Sequence, residues 1–432
     1  MPVRACIVSA TGAALRLAPA VLGVLALGGC VNPPARMAMG APLTGAVGTE
    51  SVMAQQGGHL GGQSGLIADL QRRNSVLPAG GPFAAVADAV MNASMGAAAA
   101  QLRVAQLQAE ARSKNWLPQV GPSVSLSSLS GLVASLVVSQ PLLDNGRRKA
   151  EREFAAADVE VAAVSLSQDM NKRVYDGLAQ YINLQRAEAQ AAVSRRAAQR
   201  LAQFDGLMRA RVQGGLSDMS EQQVIAQRIA ELNATLAADA QTAAAARAQL
   251  TALMGGQGAN ALPSGVDVLR DMRAGPPALS VLRQQGEGAR ALAQAKLSRA
   301  DMLPGVSASA TVSDTGTDPG LRLTGLGMLN PGASASMQAL AETATIVTRK
   351  NAEAAGAAQR RLLALAGEID MLESRAQQGA KVLAQTEANL SLFTQQYEMG
   401  RRSLLELVGQ YDTFAQAQRD QVALRYELAL RS

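Results

Sequence analysis

Along most of the chain the apolar residues return every three or four positions, which places them on one side of an α-helix, and in two places that rhythm gives way to alternation. From Arg147 to Gln213 the three-and-four pattern runs without a proline, with Val174, Leu178, Tyr181 and Ile182 on one seam. A helix of that extent is roughly 100 Å long at 1.5 Å per residue, more than a globular core requires. Gly214-Gly215-Leu216-Ser217 interrupts it, Ser217 or Asp218 can cap a return helix, and Ile225, Ile229, Leu232 and Leu236 carry the seam back toward Met254.

Ahead of the long helix, Ala84 to Lys114 is Ala-rich and predicts a shorter one, ending before Leu117-Pro118 because proline disfavours helical backbone in the residue before it. Val120 to Leu142 then changes period. Val124, Leu126, Leu132, Ala134, Leu136 and Val138 alternate with other residues, broken at Ser130-Gly131, and predict a two-strand hairpin. Gln140-Pro141-Leu142-Leu143-Asp144-Asn145-Gly146-Arg147 closes the second strand, with Asp144 or Asn145 available to cap the long helix.

The same series then recurs. Ala278 to Met302 predicts a short helix, Leu303-Pro304 repeats Leu117-Pro118, and Val306, Ala308, Ala310 and Val312 alternate before a turn over residues 314–320. Leu321 and Leu323, with Leu326 as a further candidate, continue as a partner strand, expected to be short or irregular because Leu326 to Gly332 departs from the strand-closing pattern of Gln140 to Arg147. A second long helix runs from about Ala333 to Met399, breaks at Gly400, and returns from Ser403 with Leu404, Val408, Tyr411 and Ala415 in register. Pro304 follows Pro118 by 186 residues and Gly400 follows Gly214 by 186. Two landmarks with one offset predict an internal duplication. The expected fold is mainly α with a small β part: two repeats, over residues 83–255 and 278–432, each holding a short helix, a strand pair and a long coiled-coil hairpin, joined by a Gly/Pro-rich linker over 256–277.

Composition agrees with that reading. Only 3% of the 432 residues are aromatic and one is Trp, as suits long helices packed through small side chains rather than a compact enzyme. The formal charge of +6 could suggest nucleic acid, but Arg147-Arg148, Arg195-Arg196, Arg360-Arg361 and Arg401-Arg402 are scattered among Glu and Gln as on a solvated face, so no nucleic-acid partner is expected. There is no glycine-rich phosphate loop, no Cys/His metal spacing and no Ser/His/Asp set for the single His59 to complete. Neither an enzyme nor a cofactor or metal is expected.

Both cysteines, Cys6 and Cys30, lie in the first thirty residues. Residues 1–29, with Arg4 and Arg16 ahead of an apolar run from Leu17 to Leu27, predict a signal peptide. Leu27-Gly28-Gly29-Cys30 resembles a bacterial lipobox, in which the Cys30 thiol takes a lipid; the alternative is an ordinary cleaved signal with an incidental Cys30. Val31 stands where Asp would signal inner-membrane retention, which points to the outer membrane. Residues 30–82 are expected to form a loosely ordered, lipidated tether.

The doubled order of short helix, Leu-Pro, strand pair, very long helix, glycine break and return helix, over residues 83–432, resembles the TolC family of outer-membrane efflux proteins, lipoprotein type. Its local signatures are Gln140 to Arg147 and Tyr397-Glu398-Met399-Gly400-Arg401-Arg402-Ser403-Leu404-Leu405-Glu406-Leu407. The resemblance implies a homotrimer in which each protomer gives four strands to a shared twelve-strand barrel in outer-membrane lipid and four helical segments to a periplasmic α-helical barrel. The product is a passive duct for efflux or type I secretion, anchored in the outer membrane and extending into the periplasm. It further implies a periplasmic adaptor (membrane fusion protein) and an inner-membrane pump of the RND or ABC type as partners. Closed strands also satisfy the lipid-exposed backbone, which four open ones would not.

The resemblance places the periplasmic tips at Gly214, Gly215 and Gly400 and a gate at Tyr397, Arg402 and Glu406, with Arg402 pairing to a carboxylate of a neighbouring hairpin. The family's second acidic position falls on Gly409. On the first hairpin the matching acid is Glu221 if Gly215 is the reference glycine, and the matching position is Ser220 if Gly214 is. A reading from another class is a periplasmic coiled-coil adaptor or structural envelope lipoprotein, which would carry long hairpins too.

Overall fold

A computed structural model describes residues 65–73, 75–93, 96–128, 131–256, 262–263, 265, 277–313, 316–324 and 332–431. The predicted signal peptide, Cys30, His59, most of the linker and Leu326 to Pro331 lie outside the described residues. In chain order the elements are α1 (Gly65–Gln71), α2 (Pro82–Ala93), α3 (Ala97–Ser113), β1 (Gln119–Ser128), β2 (Gly131–Leu143), α4 (Arg147–Gln213), α5 (Met219–Leu253), α6 (Leu279–Met302), β3 (Gly305–Ser313), β4 (Gly316–Thr324), α7 (Ala333–Glu398) and α8 (Leu404–Arg431). The order short helix, strand pair, long helix and return helix is thus met twice.

The four strands form one antiparallel sheet in the order β1-β2-β3-β4, so β2 and β3 bring the two halves of the chain together. β4 is a regular nine-residue strand paired with β3 from Gly305↔Thr324 to Ser313↔Gly316. Both expectations about this region therefore need correction: the fourth strand is regular, and residues 316–320 of the predicted turn belong to it. The register explains this. Pro319 and Gly320, which read locally as turn residues, sit opposite Ala310 and Ser309 on a strand whose other edge has no partner among the described residues, where a missing N–H is tolerated.

α4 is the spine. It packs against α5, α6, α8, α3, α2 and α1. Its predicted seam is present, with Tyr181 and Ile182 buried and Val174 and Leu178 half-buried. Three apolar clusters succeed one another along it. Near the sheet, Leu102 and Ala105 of α3 and Leu282 of α6 meet Val159, Ala163 and Val164. In the middle, Phe83, Val86 and Val90 of α2 and Leu250 of α5 meet Tyr181 and Ile182. Toward the hairpin ends, Leu201, Phe204 and Met208 meet Ile225 of α5 and Leu404, Leu407 and Val408 of α8.

α7 is different. Twenty of the 67 residues of α4 are buried, but only Val347, Leu372 and Thr386 of the 66 in α7. Leu362, Leu363, Val382 and Leu392 are exposed, so α7 presents an apolar surface that no described residue covers.

The N-terminal region holds two corrections. Within the expected tether, residues 65–71 form α1, whose Leu66, Ile67 and Leu70 pack onto the sheet-proximal cluster. A seven-residue helix is too short to persist alone and is held by this burial. The helix expected over 84–114 is two helices, with Gly96 extended (φ −89°, ψ 172°) at the start of the second. Nearby, the Tyr181 hydroxyl is bonded to the carbonyls of Pro263 (2.5 Å) and Gly265 (2.9 Å), and Arg73 reaches the carbonyl of Pro277.

Candidate functional site: a two-faced sheet and two hairpin tips

Residues directly opposite one another in a sheet share a face, so the register sorts every side chain. One face carries the rows Val120–Val138–Ala310–Pro319, Pro122–Leu136–Val312–Thr317 and Gln140–Ala308–Leu321, together with Val124, Ala134, Val306 and Leu323. It is almost wholly apolar, and it is bare: Val124 is 62% exposed, Leu321 72% and Leu323 64%.

The other face carries Gln119–Ser139–Ser309–Gly320, Gly121–Val137–Thr311–Asp318 and Pro141–Ser307–Arg322, with Ser123 opposite Ser135. Hydroxyls there bond across to neighbouring strands, Ser135 Oγ to the carbonyl of Ser123, Ser307 Oγ to that of Arg322 and Ser309 Oγ to that of Gly320. In water this arrangement is inverted, since nothing covers the apolar side; against hydrocarbon it is stable, provided the free edges of β1 and β4 are also paired.

Where β2 passes into α4, the expected cap is modified. Neither Asp144 nor Asn145 is the residue next to the helix. Gly146 is, in the left-handed region (φ 82°), and Asp144 caps from two residues farther back, with Oδ1 accepting from Gly146 N (3.0 Å) and Oδ2 from Arg148 N (3.1 Å). Asn145, itself left-handed (φ 49°), donates from Nδ2 to the carbonyl of Pro304 (2.8 Å) and ties this junction to the one between α6 and β3 in the second half.

At the far end of the helices the two tips share one geometry. α4 stops at Gln213, Gly215 turns left-handed (φ 71°), and Leu216 N donates to Arg211 O at 2.8 Å. α7 stops at Glu398, Gly400 turns left-handed (φ 72°), and Arg401 N donates to Gln396 O at 2.8 Å. Both are Schellman closures. The counterpart of Gly400 is therefore Gly215 and not Gly214, and the offset at the tips is 185 rather than the 186 read from the sequence. With Gly215 as reference, Glu221 corresponds to Glu406, each six residues beyond its glycine and each at the third position of its return helix.

The second tip is internally satisfied. Glu406 Oε2 accepts from Ser403 N (2.9 Å) while Ser403 Oγ accepts from Glu406 N (3.2 Å), a reciprocal capping box. Arg402 does not reach out to a neighbouring hairpin in this chain; its Nη1 pairs with Glu406 Oε1 at 2.9 Å, its Nε donates to Gln396 Oε1 at 3.0 Å, and its guanidinium lies 4.8 Å over the Phe393 ring. Glu406 is held below the ordinary carboxylate range, first by the Ser403 backbone N–H and then by Arg402. Tyr397 packs half-buried against the tip cluster. At Gly409 a Cβ would meet nothing within 4 Å, so the missing second acid is not excluded by crowding.

Sequence reading missed Phe393 as the platform for Arg402, although the two are nine residues apart across the break and the aromatic is one of only five Phe. Among the described residues, no group of three His, Cys, Asp or Glu is placed to hold a metal ion, and no single helix is long and apolar enough to cross a membrane.

Solved structures with this arrangement are outer-membrane proteins and channels. The outer membrane protein VceC of Vibrio cholerae superposes with a TM-score of 0.68 at 16% identity, over 81% of this chain and 94% of its own. The MtrE outer membrane channel of Neisseria gonorrhoeae, in its open state, gives 0.65 at 15% over 81% and 87%, and the CmeC outer membrane channel of Campylobacter jejuni gives 0.61 at 12% over 91% and 92%. The chain has the outer-membrane channel fold. No family model matches the sequence and no curated protein matches it, so the likeness to the TolC family is carried by the fold. Within that fold the two-faced sheet lies at one end of the long helices, and the tips with Gly215 and Gly400 lie at the other.

Proposed function

We propose that the protein is the outer-membrane channel subunit of a tripartite efflux or type I secretion system, a passive homotrimeric duct. The observation that carries this reading is the sheet: strands of nine to thirteen residues, long enough for a bilayer, with a bare apolar face, a hydroxyl-lined face and two unpaired edges. Three copies edge to edge give a closed twelve-strand barrel with the apolar face in lipid. The same assembly covers the exposed apolar surface of α7 with helices of the neighbouring protomer and makes the periplasmic α-helical barrel.

Residues 83–255 and 278–432 act as two copies of one unit joined by 256–277, and residues 1–29 are a signal whose removal leaves Cys30 as a lipid anchor for the tether up to residue 82. Tyr397, Arg402, Glu406 and Glu221 form the periplasmic gate, opened when an adaptor and an inner-membrane pump dock at the tips. In the closed trimer Arg402 exchanges its own-chain partner Glu406 for a contact between hairpins, and docking breaks that contact. An adaptor or structural lipoprotein is the weaker reading, because both strand pairs here join in a single sheet with a lipid-like face.

Purified full-length protein should migrate as a trimer that heating converts to monomer, and should conduct in planar bilayers. A monomer with no conductance would overturn the duct. Arg402→Ser should raise conductance, and unchanged conductance counts against the gate alone.

A further inference from the structure

The helix-side ends of the strands are followed by cations. Arg147, Arg148 and Lys149 open α4 just beyond β2, and Lys296 and Arg299 lie in the last turns of α6 ahead of β3, whereas the strands themselves contain no Lys and only Arg322. Three basic residues in the first turn of α4, with no acid among them, oppose the positive end of the helix dipole. Such a cluster is unfavourable for helix stability and calls for another use.

The cations divide by side. Arg147, Arg148 and Glu151 line a cavity with Ser139, Ser309 and Arg322, under the hydroxyl face. Lys149, Ala150 and Glu153 lie roughly opposite them around the helix, at about 3.6 residues per turn. They line a separate groove of about 350 Å³ between α4 and the last turns of α6, with Lys296, Arg299 and Leu303. The one carboxylate of that groove, Glu153, is held by Lys296 at 2.6 Å. Lys149 and Arg299 are exposed and have no carboxylate partner among the described residues.

We propose that this groove binds the phosphodiester headgroup of an anionic phospholipid in the periplasmic leaflet. The inference rests on the duct reading: if the hydroxyl face looks into the barrel, the groove looks outward, just below the apolar band, at headgroup height. Lys149 and Arg299 contact the phosphate, and Lys296 adds charge from beside Glu153. Three such grooves surround the trimer and fix its depth in the membrane.

The test reconstitutes the full-length trimer into vesicles of phosphatidylethanolamine with either phosphatidylglycerol or phosphatidylcholine, and counts retained lipid by native mass spectrometry. Phosphatidylglycerol should be retained preferentially. Lys149→Gln with Arg299→Gln should lower that preference by roughly thirtyfold at low salt, from about 1 kcal/mol per basic side chain near an anionic surface and 1.4 kcal/mol per decade. Lys149→Arg with Arg299→Lys should keep it, which separates lost charge from lost folding. A conducting trimer with no headgroup preference, an unaltered preference in the Gln pair, or displacement by equimolar inorganic phosphate each overturns the headgroup site while leaving the duct intact. A protein that enters neither kind of vesicle overturns the duct and this site together.

Discussion

Arg419 of α8 grips Asp239 of α5 through both guanidinium nitrogens, Nη1 to Oδ2 at 2.5 Å and Nη2 to Oδ1 at 3.2 Å, at side chains only 14% and 11% exposed. The same Nη1 meets Ser194 Oγ (2.5 Å) and the carbonyl of Gln190 (3.3 Å) on α4, so one side chain joins the spine and both return helices. Removing Arg419 strands a buried carboxylate. Arg419→Ala should cost about 3 kcal/mol, as for other broken buried pairs, whereas Arg419→Met with Asp239→Leu should cost much less. Denaturant midpoints of the four proteins in a double-mutant cycle measure this; additive losses would show that the two groups do not act as a pair.

The first tip offers a contrast between adjacent glycines. Gly215 needs φ 71° and a Cβ there meets nothing, so Gly215→Ala should lose about 1 to 2 kcal/mol from backbone strain alone. Gly214 has φ −82° and a Cβ 3.4 Å from Ala210 O, so Gly214→Ala should be close to neutral. Gly400→Ala should behave like Gly215→Ala. Thermal midpoints rank the three, and a larger loss at Gly214 than at Gly215 would contradict the 185-residue correspondence.

Helix propensity and packing pull in opposite directions at Gly288 of α6. Alanine would gain up to about 1 kcal/mol of propensity, but its Cβ would stand 2.6 Å from Val347 Cγ1 of α7. Overpacking of this kind costs typically 1 to 3 kcal/mol, so Gly288→Ala should destabilise. Adding Val347→Ala should recover most of the loss in the same unfolding measurement.

The Glu406 carboxyl is lowered in the folded tip, so its contribution is present above the ordinary carboxylate pKa near 4.3 and is lost as pH falls through the lower folded value. Ser403 and Arg402 bind the charged form, which gives that sign. Carboxyl-carbon NMR of Glu406 should give a midpoint below the ordinary glutamate value, and Arg402→Ser should move that midpoint up. A midpoint that Arg402→Ser leaves in place would mean that the backbone bond from Ser403 acts alone.

If the apolar face lies in lipid, a lysine on it is expensive and one on the hydroxyl face is not. Leu321→Lys should cost about 2 to 4 kcal/mol near the bilayer midplane, while Thr311→Lys, which lies opposite Asp318, should be tolerated. Refolding yield of the heat-modifiable trimer into vesicles reports both, and equal yields would count against the assignment of faces.

Much of the chain was legible because its information is local and periodic. The α4 boundaries, Arg147 and Gln213, agree with the proline-free apolar rhythm, and β1 and β2 with the alternation around Ser130-Gly131. Tip residues were readable to within one position, because Gly214 and Gly215 are chemically identical and only the backbone dihedral tells which turns left-handed. α1 was not readable, since seven residues with three apolar side chains carry no helix signal without the α4 surface they pack on.

Sequence by itself determined the helical and strand rhythms, the glycine breaks, and the doubling of landmarks, all of which depend on residues near one another in the chain. Tertiary structure decided that the two strand pairs join into one sheet through β2 and β3, and it was the register across those 170 or so intervening residues that collected the apolar side chains on one face. It also decided that Arg402 turns back onto Glu406 and Phe393, and that Arg419 finds Asp239 across 180 residues. Such pairings are set by which helices lie side by side, and no periodicity within a helix encodes its neighbour.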